Sequence, residues 1–302
     1  MKIASRQAKN SRTACSTKSL STLALAVAGL FCASAPAWAA PILGDALASF
    51  AVLGAAGVTN VPTSTIGGNL GSAPNPTAGG GYVFTSGSLQ QNTALAQDAQ
   101  VQLDAAIVAV NAFGPGTSIG SSLDAWQSGH GGVISPGTYT VSADTFNLTG
   151  NLLLDGGGSS TAVWNFLFTS TLITGSTSSV SVQDVGNASG VGIYWNVASA
   201  ATLNGNTFVG NVLAHDLISS DGDLTITCGR LLSATTQVTL IHDNVSITGC
   251  NNVSGGYDQG ASIGSGGTGG SNGQTVNGVP EPGTLALLGL SLAGLAFVRR
   301  RG

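Results

Sequence analysis

Charge is what this 302-residue chain has least of: Asp, Glu, Lys and Arg together make up 7% of it. Glu occurs once, as Glu281. The basic residues gather at the two ends, with Lys2, Arg6, Lys9, Arg12 and Lys18 in the first stretch and Arg299, Arg300 and Arg301 in the last. Between them Arg230 alone stands against twelve Asp, a balance of −11 (+1 − 12). Such a region, acidic and nearly without Lys or Arg, excludes nucleic acid and anionic membrane surfaces as its partners. Low charge together with 42% hydrophobic residues also excludes ordinary disorder.

Catalytic and metal-binding chemistry is equally poorly supplied. The single Glu forms no pair, and no cluster of carboxylates suggests a carbohydrate-active enzyme. The histidines His130, His215 and His242 fall in no Cys or His ligand spacing, so no metal is expected. Asp221-Gly222-Asp223 lacks the remaining ligands of a calcium loop and suits a turn. Gly156-Gly157-Gly158 is not followed by Lys or Thr in phosphate-loop register. No Ser–His–Asp set is legible, so the expectation is a non-enzyme without a cofactor. Of four cysteines, Cys15 and Cys32 lie in the leader. Cys228 and Cys250 remain, and two readings of them stay open: a disulfide formed in an oxidising compartment, or two buried thiols.

Glycine and hydroxyl-bearing residues are abundant instead, with 45 Gly. From Val191 to Cys250 one pattern recurs. Gly192, Gly210, Gly229 and Gly249 follow one another at nearly even intervals, the first three followed by Ile193-Tyr194-Trp195, Asn211-Val212-Leu213 and Arg230-Leu231-Leu232. Beside them runs a column of Ser181, Thr202, Ser219 and Thr239, each next to apolar neighbours. A period of about 20 residues rich in Gly, Ser, Thr and β-branched residues predicts stacked β-coils. The unit is too short for a helix pair.

The flanks divide the chain. Residues 1–39 carry a basic start, an apolar run from Leu20 to Ala35 and the cleavage-like Ala37-Trp38-Ala39, as a signal peptide does. Residues 40–252 form the expected β domain. Within it, residues 88–112 are expected to form the one long helix, with Leu95, Ala99, Leu103, Ala106, Ile107 and Val110 on one face and Gly114-Pro115-Gly116 as its end. The apolar strand Ala162–Phe168 is placed against it. Residues 253–278 are Gly-, Ser- and Asn-rich and predict a flexible linker. Residues 279–302 hold Val279-Pro280-Glu281-Pro282, an apolar run from Leu285 to Val298 and the three arginines. That run is short for a bilayer span and predicts transient membrane contact with Arg299, Arg300 and Arg301 on the cytoplasmic side.

Two families are resembled. Pro280, Glu281 and Pro282, the apolar run and the arginine cluster, in that order, resemble a PEP-CTERM sorting signal. The resemblance implies a Gram-negative bacterium, processing by an exosortase, and release to the cell surface or the exopolysaccharide matrix. Residues 42 to about 252 resemble the secreted microbial ice-binding proteins. The segments that carry this are Leu43-Gly44 through Phe50–Leu53, Ile66–Gly71, Ile134–Tyr139, Thr149–Asp155, Ala162–Phe166, Ile193–Val197 and Gly229–Leu232. The fold implied is mainly β: a discontinuous right-handed β-solenoid, or β-helix, of triangular section, with one long α-helix packed alongside.

The implied partner is the surface of an ice crystal. Neighbouring β-strands lie about 4.7–4.9 Å apart, and same-face residues along a strand about 6.6–6.8 Å apart, both close to repeats of the oxygen lattice in ice. Thr adds a hydroxyl and a methyl on a stiff χ1, so a regular array of them can order water. The expected surface comprises Ser181, Thr202, Ser219 and Thr239, with Thr207 and Thr225 beside them and Thr174 and Thr177 as a further group. The alternative is a structural or adhesive matrix protein that uses the same solenoid to bind exopolysaccharide. Exposed aromatics would favour it, whereas Trp164, Phe166, Phe168 and Trp195 are expected to be buried.

Overall fold

The computed structural model describes residues 42–248 except Ser189. They fall within one compact unit, Trp38–Asn277. The expected signal peptide, the linker, the sorting segment and Cys250 lie outside the described residues.

Two parallel sheets make up most of the molecule, one of fourteen strands and one of five. Parallel neighbours cannot be joined by a tight hairpin, so each strand must pair with one lying a full circuit further along the chain. The register shows the circuit. Tyr194 pairs with Asn211, Asn211 with Arg230, and Ile218 with Val238, steps along the chain that match the glycine period. Two strands, Thr207–Ala214 and Thr225–Ser233, are long because each bends and serves two ladders. The bend falls at Gly210, with φ +96°, and at Cys228, with φ +58°, followed by Gly229. A Cβ on Gly229 would stand 2.1 Å from the Gly210 carbonyl oxygen, so the stacked corner admits glycine alone.

The larger sheet therefore comprises two ladders. One runs from Leu89–Gln91 through Asn69–Ser72, Phe50–Gly54, the second halves of the two long strands, Gly192–Val197, Val163–Phe168 and Gly137–Val141 to Thr117–Ser118. The other runs from Tyr82–Ser86 through Ser64–Gly67, Asn244–Ser246, the first halves of the long strands and Ser179–Gln183 to Asn151–Asp155. The five-stranded sheet orders Leu172–Ile173, Ala201–Leu203, Ile218–Ser220, Gln237–Ile241 and Gly57–Val61.

The stacking is not in chain order. Val52 pairs with Leu231 and Val58 with Val238, so the first strands sit on the last ones. After Leu89–Gln91 the chain must return to the other end of the ladder, where Thr117–Ser118 pairs with Tyr139 and Thr140. A helix does this. Besides α1 (Asp45–Ala48), the chain forms α2 (Ala94–Asn111) and α3 (Leu123–Gly129). The 18 residues of α2 rise about 27 Å, most of the height of a nine-strand stack. Thr93 caps α2 by accepting from the Ala96 N–H. The helix begins later than residue 88, because Leu70 and Ser72 recruit Leu89 and Gln91 into a last strand. Nor is α2 the only helix: α1 and α3 are too short for their periodicity to register in the sequence.

Two cores result. Inside the ladders lie Trp164, Phe166, Trp195, Val212, Ile226 and their neighbours, with Phe166 and Trp195 stacked at 4.3 Å between ring centres. Between the first ladder and α2 lie Ala96, Ala99, Leu103, Ala106 and Val110 of the helix against Phe50, Leu53, Tyr194, Leu213 and Leu232. Val163 and Leu167 join this second core, as expected for a strand covered on both faces. Both cores close within residues 42–248.

Asp243 is buried at a corner. It accepts hydrogen bonds from Ser220 Oγ, the Leu224 N–H at 3.0 Å and the Ile241 N–H at 2.9 Å. Burial nevertheless pushes its carboxyl above the ordinary value, and those donors only partly offset it. A carboxyl raised in the folded state binds its proton more tightly there than in the unfolded chain. Its contribution is therefore greatest at low pH and falls as pH rises through the folded value. Denaturant titrations of the protein and of Asp243→Asn across acid pH are expected to show the stability gap narrowing as pH rises. A gap that widens would contradict this sign.

Candidate functional site

Of the three ladders, the first is closed to any large partner, because α2 lies over its outer face. The other two are open, and the expected surface residues divide between them.

The five-stranded sheet turns Leu172, Ala201, Ile218, Val238 and Val58 inward, all fully buried. Alternation then turns Ile173, Thr202, Ser219, Thr239 and Thr59 outward in one register. Thr59 Oγ1 donates to Thr239 Oγ1 at 2.9 Å, so the column is bonded along itself. Thr202, Ser219 and Thr239 are thus one column, as expected from the sequence.

Ser181 is not part of it. It sits in Ser179–Gln183, whose partners are Asn151–Asp155 and Thr207. The repeat length is much the same on every ladder, so period alone could not assign a face. Thr207 and Thr225 belong with Ser181, paired directly with each other. Thr177 lies just before that strand, exposed, donating to the Thr149 carbonyl at 3.3 Å. Thr174 is corrected outright: it is 1% exposed and its Oγ1 accepts from the Asn204 N–H at 2.8 Å. Its hydroxyl closes a corner and meets no solvent.

The second open ladder is the longer one. Its outward residues run Val83, Thr65, Asn244, Thr225, Thr207, Ser179, Asn151 over seven strands. Two residues further along the same strands come Thr85, Gly67, Ser246, Thr227, Val209, Ser181 and Leu153, a less regular row in which Gly67 pairs with Ser86 and Val209 is buried. Between the two columns Ile66, Val245, Ile226, Phe208, Val180 and Leu152 point into the core. None of the fourteen outward positions is charged. Hydrogen bonds along the face fix several rotamers: Ser179 Oγ donates to Asn151 Oδ1 at 2.7 Å, and Thr85 Oγ1 to the Ile66 carbonyl at 3.3 Å. Charge enters only at the margin, where Asp155 accepts from the Gly157 N–H and from Gln183 Nε2, bonds that hold its carboxyl below the ordinary range.

Thr65, Thr85, Ser179, Thr227 and Ser246 are not among the expected residues. The signal is present as alternation: Ser179-Val-Ser181, Thr225-Ile-Thr227 and Asn244-Val-Ser246 each place two hydroxyl or amide groups on one side of a strand. Among the described residues there is no group of three His, Cys, Asp or Glu placed to hold a metal. His215 Nδ1 lies 3.0 Å from Asp216 Oδ1, and His130 stacks on Trp126 at 3.8 Å. Cys228 is disulfide-bonded, and Cys250 lies outside the described residues.

Comparison with known proteins meets this geometry. Residues 52–246 match the ice-binding-like family. The chain belongs to that family. Residues 278–301 match the PEP-CTERM protein-sorting motif, which includes Pro280, Glu281, Pro282 and the three arginines. An ice-binding protein of Nostoc sp. (strain HG1) is 33% identical over 74% of this chain and 80% of its own length. An ice-binding protein of Flavobacterium frigoris (strain PS1) is 30% identical over 66% of this chain and 74% of its own. The crystal structure of an ice-binding protein from the Antarctic ascomycete Antarctomyces psychrotrophicus aligns with a TM-score of 0.57 and 26% identity. That alignment covers 70% of this chain and 99% of the fungal one. The family's function is binding to ice, which is not catalysis. No helix among the described residues is long and apolar enough to cross a membrane, and the apolar run Leu285–Val298 lies outside them.

Proposed function

We propose that this protein binds ice through the seven-strand open ladder and so restrains ice growth or recrystallisation. The observation that carries the proposal is the uncharged outward column of Thr65, Asn244, Thr225, Thr207 and Ser179 in continuous register, with a second, less regular row beside it. Ordered water on such a face would take its spacing from the strand repeat in one direction and the pleat in the other. Seven strands at that repeat give a face about 30 Å long, against about 20 Å for the five-stranded sheet. A longer regular face holds more lattice water at once, which is why the longer ladder is preferred.

The repeating circuit through three ladders supports a right-handed β-solenoid of triangular section. Residues 1–39 then act as a signal peptide and 40–252 as the ice-binding domain. Residues 253–278 serve as a linker, and 279–302 as the segment an exosortase removes. Export to the surface of a Gram-negative cell follows from the sorting motif. The adhesive alternative is not favoured: Trp164, Phe166, Phe168 and Trp195 are buried and offer no platform for sugars.

Because both cores close within residues 42–248, a chain of residues 40–278 keeps the fold and suits the test. At micromolar concentration it is expected to show thermal hysteresis and to keep ice grains small during annealing. Absence of both effects, with retention on exopolysaccharide, would select the adhesive reading.

A further inference from the structure

Asn244–Ser246, the last strand in chain order, does not lie at an edge. It is third of the seven strands of the open ladder, between Ser64–Gly67 and Thr225–Ser233. Removing it would part Ser64–Gly67 and Tyr82–Ser86 from the four strands on its other side. Yet little holds it. It is three residues long, with Val245 its one fully buried side chain and Ile247 beyond it partly covered. The Asn244 and Ile247 N–H groups donate to the carbonyls of Leu224 and Gly67, each at 2.9 Å. Short segments with so few buried contacts open first and most often.

A cysteine stands beside this strand. Thr227 pairs with Ser246, which brings Cys228 abreast of Ile247. Cys228 is an extra residue in its own corner. It and Gly229 together oppose Gly210, because the pairing runs from Val209–Thr227 directly to Asn211–Arg230. It is held at φ +58°, a left-handed conformation that is costly for a residue with a Cβ, so the insertion needs a reason. Its side chain is 3% exposed and disulfide-bonded. No other cysteine occurs among the described residues. Cys15 and Cys32 lie in the segment expected to be removed, which leaves Cys250. Cys250 comes three residues after Ile247, a reach of up to about 10 Å, against about 4.8 Å between neighbouring strands.

We infer that a disulfide between Cys228 and Cys250 clamps the last strand into the open ladder, a closure available only outside the reducing cytoplasm. Inside the cell both thiols stay reduced. After export, exchange with a disulfide donor converts the two thiols into one S–S bond, and the donor leaves as a dithiol carrying the two electrons and two protons. The segment that holds Asn244–Ser246 is then fixed at both ends, by Ile241 in the five-stranded sheet and by the bond at the corner. A strand tethered at both ends has few open conformations to escape to, so its hydrogen bonds open less often. The consequence for ice rests on the ice-binding reading, whereas the clamp itself does not.

Peptide mass mapping of residues 40–278, exported through an oxidising compartment and digested without reductant, is expected to find the peptides of Cys228 and Cys250 joined. Two free thiols would overturn the inference. Hydrogen exchange then reads the clamp without ice. In Cys250→Ser, and in the parent protein treated with a thiol reductant, the amides of Asn244 and Ile247 are expected to lose most of their protection while Gly192–Val197 keeps its own. Unchanged protection at Asn244 and Ile247 would overturn the clamp. So would an equal loss at Gly192–Val197, since the bond would then staple the whole fold rather than this strand. Thermal hysteresis of Cys250→Ser is expected to fall below that of the parent. A parent without hysteresis would sink the ice-binding reading instead, and the exchange comparison would still decide the clamp.

Discussion

Tyrosine placed at both Thr225 and Thr227 is expected to remove most of the thermal hysteresis at equal concentration. The two residues stand on the fourth of seven strands, at the centre of the open ladder. Each ring would rise above the plane set by Thr207 and Asn244 and hold the flanking strands off the crystal. The effect on folding is small, because both side chains point outward while Ile226 between them stays fully buried. Thermal midpoints should therefore match the parent protein. The paired experiment is Thr202→Tyr with Thr239→Tyr on the five-stranded sheet, which is expected to keep most of the activity. If that pair abolishes hysteresis and the first does not, the ice-contacting face has been assigned to the wrong ladder.

The same residues show how far sequence could reach. The glycine period announced stacked parallel strands, because each circuit must turn the same corners. The face of each residue was harder to read. Ser181 and Thr202 lie one period apart to a reader of the sequence, yet they occupy different sheets. Segments between corners vary in length, so distance along the chain loses track of the ladder after one circuit. Alternation within a strand is the more local signal and survives that drift, as Thr225-Ile-Thr227 shows. Thr174 misleads for another reason. Its hydroxyl is spent on the Asn204 amide, a partner 30 residues away that no local pattern announces. The long helix was legible by its period, whereas its first turn was lost to a strand that exists only because Leu70 and Ser72 lie beneath it.

Arg230→Met is expected to cost about 4 kcal/mol of stability, since two or more buried acceptors lose their donor at about 1–3 kcal/mol each. Arg230 is 0% exposed. Its Nη2 and Nε donate to the Ala48 carbonyl at 2.6 and 3.2 Å, and Nη1 donates to Asn211 Oδ1 at 2.8 Å. Ala48 ends α1, where carbonyls lack helical partners and carry partial negative charge. Met fills much of the same space but donates nothing. Lys keeps the charge without the planar fork and is expected to fall between the two. Urea titration of residues 40–278 reads the difference as a lower midpoint at unchanged slope. A Met variant within about 1 kcal/mol of the parent would show that burying the guanidinium costs nearly what its bonds return, as happens at some buried charges. The consequence reaches the ladder proposed to contact ice. Ala48 leads directly into Phe50–Gly54, the strand by which the first part of the chain rests on Leu231 and Leu232. That part supplies Ser64–Gly67 and Tyr82–Ser86, two of the seven strands on the open face. Under conditions where Arg230→Met is still folded, loosening at this seam should therefore shorten the regular face, and hysteresis should fall ahead of the loss of bulk β-structure.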